Sequence, residues 1–295
     1  MKYRIFKDKI TGAAMAALVV SSLFLVVMLG LGLLYYSIPV LKEHSISELL
    51  FTSSWQPSAN KFGFLPFIIS TVWVTGIAIV FAVPISLLSA IFLTEYSKPR
   101  LKKAVFPVLD VLASLPSVIY GLWGSLLLVP IISRFAASAG ISTTGNTILA
   151  GGIVLGVMIL PLLVSLFVEI FSAVPVEIRD TSVALGATRW QTVKKVLLKK
   201  TISGILASVV LAVSRALGET IAVLMVCGGG KLLPLSPLDS GFPIPALIAS
   251  AYSEMGSEDT YKSALLFAAL LLFIIVFLFN LSSRIILYRI EKRFT

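Results

Sequence analysis

The chain has 295 residues, of which 58% are hydrophobic and only 13% charged. A soluble domain carries about 25% charged residues, so this composition excludes one and marks an integral membrane protein. The formal net charge of +10 raises nucleic acid as a partner, but the placement of the basic residues removes that reading; the single cysteine, Cys227, cannot form an intrachain disulfide.

About 20 apolar residues cross a bilayer as a helix. Six runs meet that length, at roughly 15–36, 64–93, 104–133, 147–174, 203–229 and 263–283. The first follows a basic start, is longer than a signal-peptide core and lacks a small-residue cleavage site, so it reads as a retained span. Residues 1–60 form an N-terminal tail, first span and outer loop, and 61–290 a transmembrane domain. Pro84, Pro116 and Pro161 fall inside the second, third and fourth spans, where loss of a backbone donor kinks or breaks a helix. Gly152 and Gly156 form a GxxxG in the fourth, a helix-packing pattern. Glu95, Asp110 and Glu169 lie towards the cytoplasmic ends of the second, third and fourth spans, where pairing or snorkelling suits them.

The loops divide the cations unevenly. Eighteen Lys and Arg fall on the side that holds both termini, the 2–3 loop and the 4–5 loop; five fall on the other side, and Arg215 lies within the fifth span. The positive-inside rule therefore places both termini in the cytoplasm. The same bias accounts for the net charge without nucleic acid. The longest outer loop, 231–262, carries Pro234, Pro237, Pro243 and Pro245, then Glu254, Glu258 and Asp259. Its "PALIASAY" stretch is apolar but too short to span, which suits a short helix at the outer surface. His44, the lone histidine, falls in the first outer loop and has no partners for a metal site or a Ser–His pair. "GGGKLL" at 228–233 resembles a phosphate loop, but Leu232 stands where that loop needs Ser or Thr, so the segment reads as an outer turn.

The fifth span contains "SRALGET" at 214–220. On one continuous helix, Arg215 and Glu219 are i,i+4 neighbours. Ser208 and Gly218 then share their small, polar face, and bulky aliphatics take the other. An ion at the bilayer centre costs roughly 2.5–3.5 kcal/mol on insertion scales, and pairing lowers that cost. Two readings stand: Arg215 meets an anion in transit with Glu219 as a partner to be displaced, or the two form a permanent structural pair.

The 4–5 loop, within 175–201, begins "VPVEIRDTSVALGATRWQTVKK". Pro175 and Glu177 suit a helix's first turn, Gly186 the position just past its end, and Thr188 with Gln191 a capping box for the next helix. The result is a short helix, a Gly turn and a basic helix running into the fifth span. This segment resembles the "EAA" loop of ABC-importer permeases. Asp180, Thr181 and Ser182 stand at the Glu-Ala-Ala positions, Gly186 matches the Gly, and Lys199 replaces the closing Pro. The resemblance implies an all-α, six-span MetI-like type I importer permease fold with a cytoplasmic coupling helix. It also implies that Glu177, Asp180, Ala184, Leu185 and Gly186 contact an ATPase. "SRALGETIAVLMVCGG" followed by "PALIASAYSEMG" is similar to the phosphate-specific permeases of PstC type; the PstA-type sister continues "GET" with Ala-Pro, where this chain has Ile221-Ala222-Val223.

The implied protein is a transport subunit, not an enzyme, in the cytoplasmic membrane of a bacterium or archaeon. Its implied partners are a PstA-like second permease, a PstB-like ATPase dimer and a PstS-like phosphate-binding protein, with inorganic phosphate as cargo, no cofactor and no metal. The alternatives are a permease for another oxyanion such as molybdate or sulfate, or the PstA-type sister subunit. A membrane hydrolase lacks a base and a metal set.

Overall fold

The structure is a computed structural model and describes residues 2–251 and 259–294. Among the described residues, six helices are long and apolar enough to cross a membrane. Six spans put both chain ends on one side, termed here the terminal side. The first is α1 (Lys2–Glu43). A short α2 (Ile46–Phe51), opened by the Ser45 hydroxyl accepting from the Glu48 amide, leads to a hairpin of β1 (Trp55–Gln56) and β2 (Lys61–Phe62). Next, α3 (Leu65–Ile91) widens into a π-type turn over Phe92–Tyr96. Then come α4 (Pro99–Ser114), α5 (Ser117–Trp123) and α6 (Val129–Ser138), the last two joined by another π-type turn. After α7 (Ile148–Ser172), the terminal-side connection is built from α8 (Val176–Ala184) and α9 (Arg189–Thr192). A third π-type turn, Val193–Leu197, leads into α10 (Leu198–Leu217). The chain ends with α11 (Ile221–Val226), α12 (Ile244–Ala251) and α13 (Asp259–Phe294).

The pairing of α3 with α7 forms the centre of the bundle. Its chemistry is that of membrane helix association, where small residues let backbones approach. On α3 the seam is Ser70, Thr71, Val74, Thr75, Ala78, Ala82 and Ser86, all buried. On α7 it is the expected GxxxG. A Cβ on Gly152 would lie 2.5 Å from Ile77, and one on Gly156 would lie 2.8 Å from the Phe81 ring and 3.2 Å from the Ala78 carbonyl. Pro84 and Pro161 lie inside α3 and α7 without ending either helix. Near both, the Ser86 hydroxyl donates to the Leu160 carbonyl across the seam at 3.3 Å. On one flank α1 packs along α13, with Gly30 against the Phe273 ring and the Val40 amide bonded to the Ser263 hydroxyl.

The side away from the termini is ordered by a second core. Trp55 of the hairpin lies edge-on to Phe62, Phe64 and Phe67, with ring centroids 5.1–5.7 Å apart. The segment after α11 folds over the ends of α3 and α7. Its Phe242 and Ile244 amides bond the Ser70 and Thr71 hydroxyls, and its Pro237 and Asp239 carbonyls accept from Leu149 and Ile148 at the start of α7. The glycine turn at 228–229 has positive φ at both residues, a conformation that favours glycine.

Three expectations are corrected. The third span is not one run over 104–133: the chain breaks at Leu115–Pro116, and the membrane-length stretch is Ser117–Ser138. Extended backbone before a proline and the missing proline donor together make this a full interruption. The "PALIASAY" helix forms, but it does not lie on the surface: Ile244, Pro245, Ala246, Leu247 and Ala251 are buried, against α3, α11 and α13. Finally, the fifth span does not run unbroken over 203–229. Glu254 and Glu258 of the outer loop lie outside the described residues.

Candidate functional site

"SRALGET" marks the end of a helix. The sequence α10 stops at Leu217, Gly218 and Glu219 turn back to bond the Arg215 and Ala216 carbonyls, and α11 starts at Ile221. The i,i+4 pairing of Arg215 with Glu219 therefore has no helix to support it. Among the described residues the one pairing of a Lys or Arg with a carboxylate is Arg179–Glu95. Glu219, half-buried, instead accepts from the Ala222 amide at 3.2 Å and caps the first turn of α11. Arg215 occupies the last turn of α10. Each charge thus complements a helix end, cation at the negative C-terminus and anion at the positive N-terminus. That arrangement answers why two charges sit in an apolar run.

Within α10 the edge between the buried and the open face falls beside Arg215. Thr201, Ile205, Ser208, Ala212 and Ala216 are buried, on the side of α10 that meets α3 and α7. Ser208 donates to the Gly204 carbonyl at 3.1 Å and does not share the open face expected for it. The open stripe is Ala207, Leu211, Arg215 and Gly218. Arg215 forms no hydrogen bond or ion pair among the described residues. Gly218 has φ −92°, and a Cβ there would meet nothing nearer than 3.8 Å, so its backbone does not demand glycine.

The other interruption lies beside this one. Tyr120, buried, donates to the Leu112 carbonyl at 2.7 Å, across the break at Pro116. Past the breaks, α5 and α11 pack together, with a Gly121 Cβ position 3.0 Å from the Ala222 Cα. Ser214, in the turn before Arg215, bonds Asn280 of α13 at 3.1 Å. Irregular backbone at membrane depth occurs where it is covered by protein or lines a water-filled cavity, and discontinuous helices are a recurring feature of solute sites in transporters. Tyr120 and Asn280 carried no signal in the sequence: an isolated Tyr or Asn in an apolar run has no pattern until the neighbouring helix is known.

On the terminal side, α8 forms as expected. It has no buried residue. Gly186 has φ +83° and donates to Val183, and Ala187 donates to Ser182, the two bonds of a Schellman ending. Thr188 and Gln191 make both bonds of the capping box. Glu177, Asp180, Ala184, Leu185 and Gly186 are all exposed, Leu185 at 84%. An apolar side chain so exposed beside a helix end suits a partner contact. The residue that holds the helix down is Arg179, which the sequence reading treated only as one of the basic residues of its side. It binds Glu95, as well as the Phe171 and Val174 carbonyls. Asp110 and Glu169 are exposed.

The chain is thus a multi-pass helical protein with two adjoining helix breaks, at Pro116 and Gly218, and an exposed short helix on its terminal side, an arrangement that fits a membrane translocation component. Comparison with known proteins identifies the family. Residues 82–295 match the model of the binding-protein-dependent transport system inner membrane component, and the chain belongs to that family. It is 38% identical, over 80% of its length and 76% of the relative's, to the probable ABC transporter permease protein YqgH of Bacillus subtilis. It is 35% identical to the phosphate transport system permease protein PstC of Mesorhizobium japonicum, with 83% and 80% covered. The probable PstC of Methanocaldococcus jannaschii is 31% identical, with 88% and 87% covered. Among solved structures, a chain of the MetNI methionine ABC transporter in an inward-facing conformation superimposes with TM-score 0.60 at 20% identity, covering 80% of this chain and 99% of that one. A chain of a bacterial alginate ABC transporter does so with TM-score 0.56 at 17% identity, covering 76% and 79%. These likenesses establish the ABC-importer permease fold. As in its family, the chain is a transport subunit of the membrane rather than an enzyme.

Proposed function

We propose that the chain is the PstC-type permease subunit of an ATP-driven phosphate importer. The observation that carries this reading is Arg215: a cation on an open helix face beside two helix breaks, with no carboxylate bonded to it among the described residues. Similarity to permeases named for phosphate transport supports the choice of anion. A permanent ion pair would have left no role for Arg215 in binding. The break instead gives Glu219 to the α11 cap and leaves the guanidinium open to a dianion or monoanion of phosphate, whose oxygens it matches as a fork.

In this reading the stripe Ala207, Leu211, Arg215 and Gly218 faces a PstA-like second permease, and the path runs between the two chains. The terminal side is cytoplasmic in this reading, which the excess of Lys and Arg there supports. A PstB-like ATPase pair docks on α8 through Glu177, Asp180, Ala184, Leu185 and Gly186. A PstS-like binding protein delivers phosphate on the opposite side. Alternating access then needs Arg215 to meet the anion in one state and be screened from it in another, since a ligand shifts only an equilibrium between states that it binds unequally.

The test is uptake of inorganic phosphate by the reconstituted four-component complex. Arg215→Ala assembles normally and takes up no phosphate above background. Normal uptake by that variant would remove Arg215 from the path. Competition by sulfate or molybdate equal to that by phosphate would replace the anion while leaving the site.

A further inference from the structure

Helix α8 has no fully buried residue, yet its Arg179 side chain reaches into the body of the protein. Arg179 Nε donates to Glu95 Oε1 at 3.2 Å, Nη1 to the Val174 carbonyl at 2.7 Å and Nη2 to the Phe171 carbonyl at 2.5 Å. The side chains of Arg179 and Glu95 are 19% and 13% exposed. Phe171 lies in the last turn of α7 and Val174 just beyond it, so the guanidinium caps that helix end and its charge opposes the dipole there. Glu95 sits in the π-type turn that closes α3. One planar fork therefore joins α8 to the ends of both helices of the glycine-packed pair. Such three-bond geometry uses the directed donors that Arg has and Lys lacks.

The other side-chain tie of α8 runs to the following segment: Ser182 bonds Thr192, at the start of the rod formed by α9 and α10. The backbone link from α7 to α8 is short, Ala173 to Pro175. A force on the exposed face of α8 can swing the helix about that link unless a side chain fixes its angle. Arg179 is the side chain placed to do so. Both tied segments contain a π-type turn, Phe92–Tyr96 after α3 and Val193–Leu197 before α10; such turns are frequent where a helix adjusts for function.

We propose that Arg179 is a positioning residue for transport: by clamping Glu95 and the α7 carboxyl-terminal carbonyls, it makes α8 and the α3–α7 pair move as one body, so that motion at α8 reaches the membrane. This rests on α8 being the ATPase-docking helix. A side chain with a merely structural role would change how much complex assembles. The clamp changes how much transport each hydrolysed ATP yields.

The measurement is the ratio of inorganic phosphate taken up to ATP hydrolysed, in proteoliposomes holding the whole complex with its binding protein, alongside ATPase retention in pull-down. Arg179→Ala keeps the ATPase bound and its hydrolysis within about twofold of wild type, while the ratio falls by about tenfold, in the range of typical coupling energies. Arg179→Lys, which keeps charge but not the fork, lowers the ratio by about threefold, and so does Glu95→Gln, which leaves the two carbonyl bonds. Leu185→Asp releases the ATPase. An unchanged ratio in Arg179→Ala, or loss of the ATPase from that variant, while Leu185→Asp still releases it, overturns the clamp alone. Retention of the ATPase by Leu185→Asp overturns the docking assignment, and the clamp's role with it.

Discussion

The α3–α7 pair and the α10–α11 pair occupy one bundle but solve opposite problems. In the first, two prolines are absorbed, glycines bring backbones into contact, and the Ser70, Thr71 and Ser86 hydroxyls bond to backbone. In the second, no proline is present and the helix ends all the same, at Gly218, with a cation in its last turn and an anion capping the next. Helix continuity in this membrane protein is thus not read from proline alone: α3 and α7 run through theirs, and α10 stops without one. At that stop the Gly218 and Glu219 amides bond back to α10, and the Glu219 carboxylate caps α11. The first pair is built to be rigid, and the second retains a guanidinium with no hydrogen bond among the described residues.

This contrast can be broken or sharpened by substitution. The largest effect is expected at the seam. Gly156→Leu forces a side chain into the Phe81 ring and the Ala78 carbonyl, and overpacking of this kind costs about 1–3 kcal/mol or more. The yield of monodisperse complex in detergent collapses; a normal yield would mean that the seam is looser than its backbone spacing implies. Next is Leu185→Asp on α8, which removes the ATPase from the purified complex by at least about tenfold, as expected for an apolar contact near the centre of an interface. Smaller is Glu219→Ala, which deletes the α11 cap and lowers thermal stability by about 1 kcal/mol. Glu219→Asp retaining stability while Ala loses it would confirm the cap, whereas equal stability of all three would return Glu219 to other duties. The smallest is Gly218→Ala. With room for a Cβ and no positive φ, it shifts thermal stability by less than about 0.5 kcal/mol.

Much of this architecture was legible in the chain. The six spans follow from apolar length, and the α8 ending and the capping box follow from Gly186, Thr188 and Gln191, whose roles are local and need no tertiary partner. The break at Gly218 was not legible. Arg215 and Glu219 are spaced as a helical ion pair, and no local rule separates that spacing from a cation in one helix's last turn and an acid capping the next. Pro116 announced a kink or a break, but not that Tyr120 reaches back across it to the Leu112 carbonyl. Arg179 was hidden for a related reason: among many basic residues on its side of the membrane, only the placement of Phe171, Val174 and Glu95 distinguishes it. Ser208 lies about 20° from Arg215 on α10, and only the neighbouring helices decide that the edge of the buried face falls between them.

The central claim is that the break frees Arg215 for an anion. It is tested most directly by phosphate uptake and phosphate-stimulated ATPase activity in the reconstituted complex carrying Arg215→Ala, with Arg215→Lys in parallel. The expected result is a fully assembled complex in which Ala abolishes uptake and Lys retains a fraction of it. Wild-type uptake by the alanine variant would contradict the account.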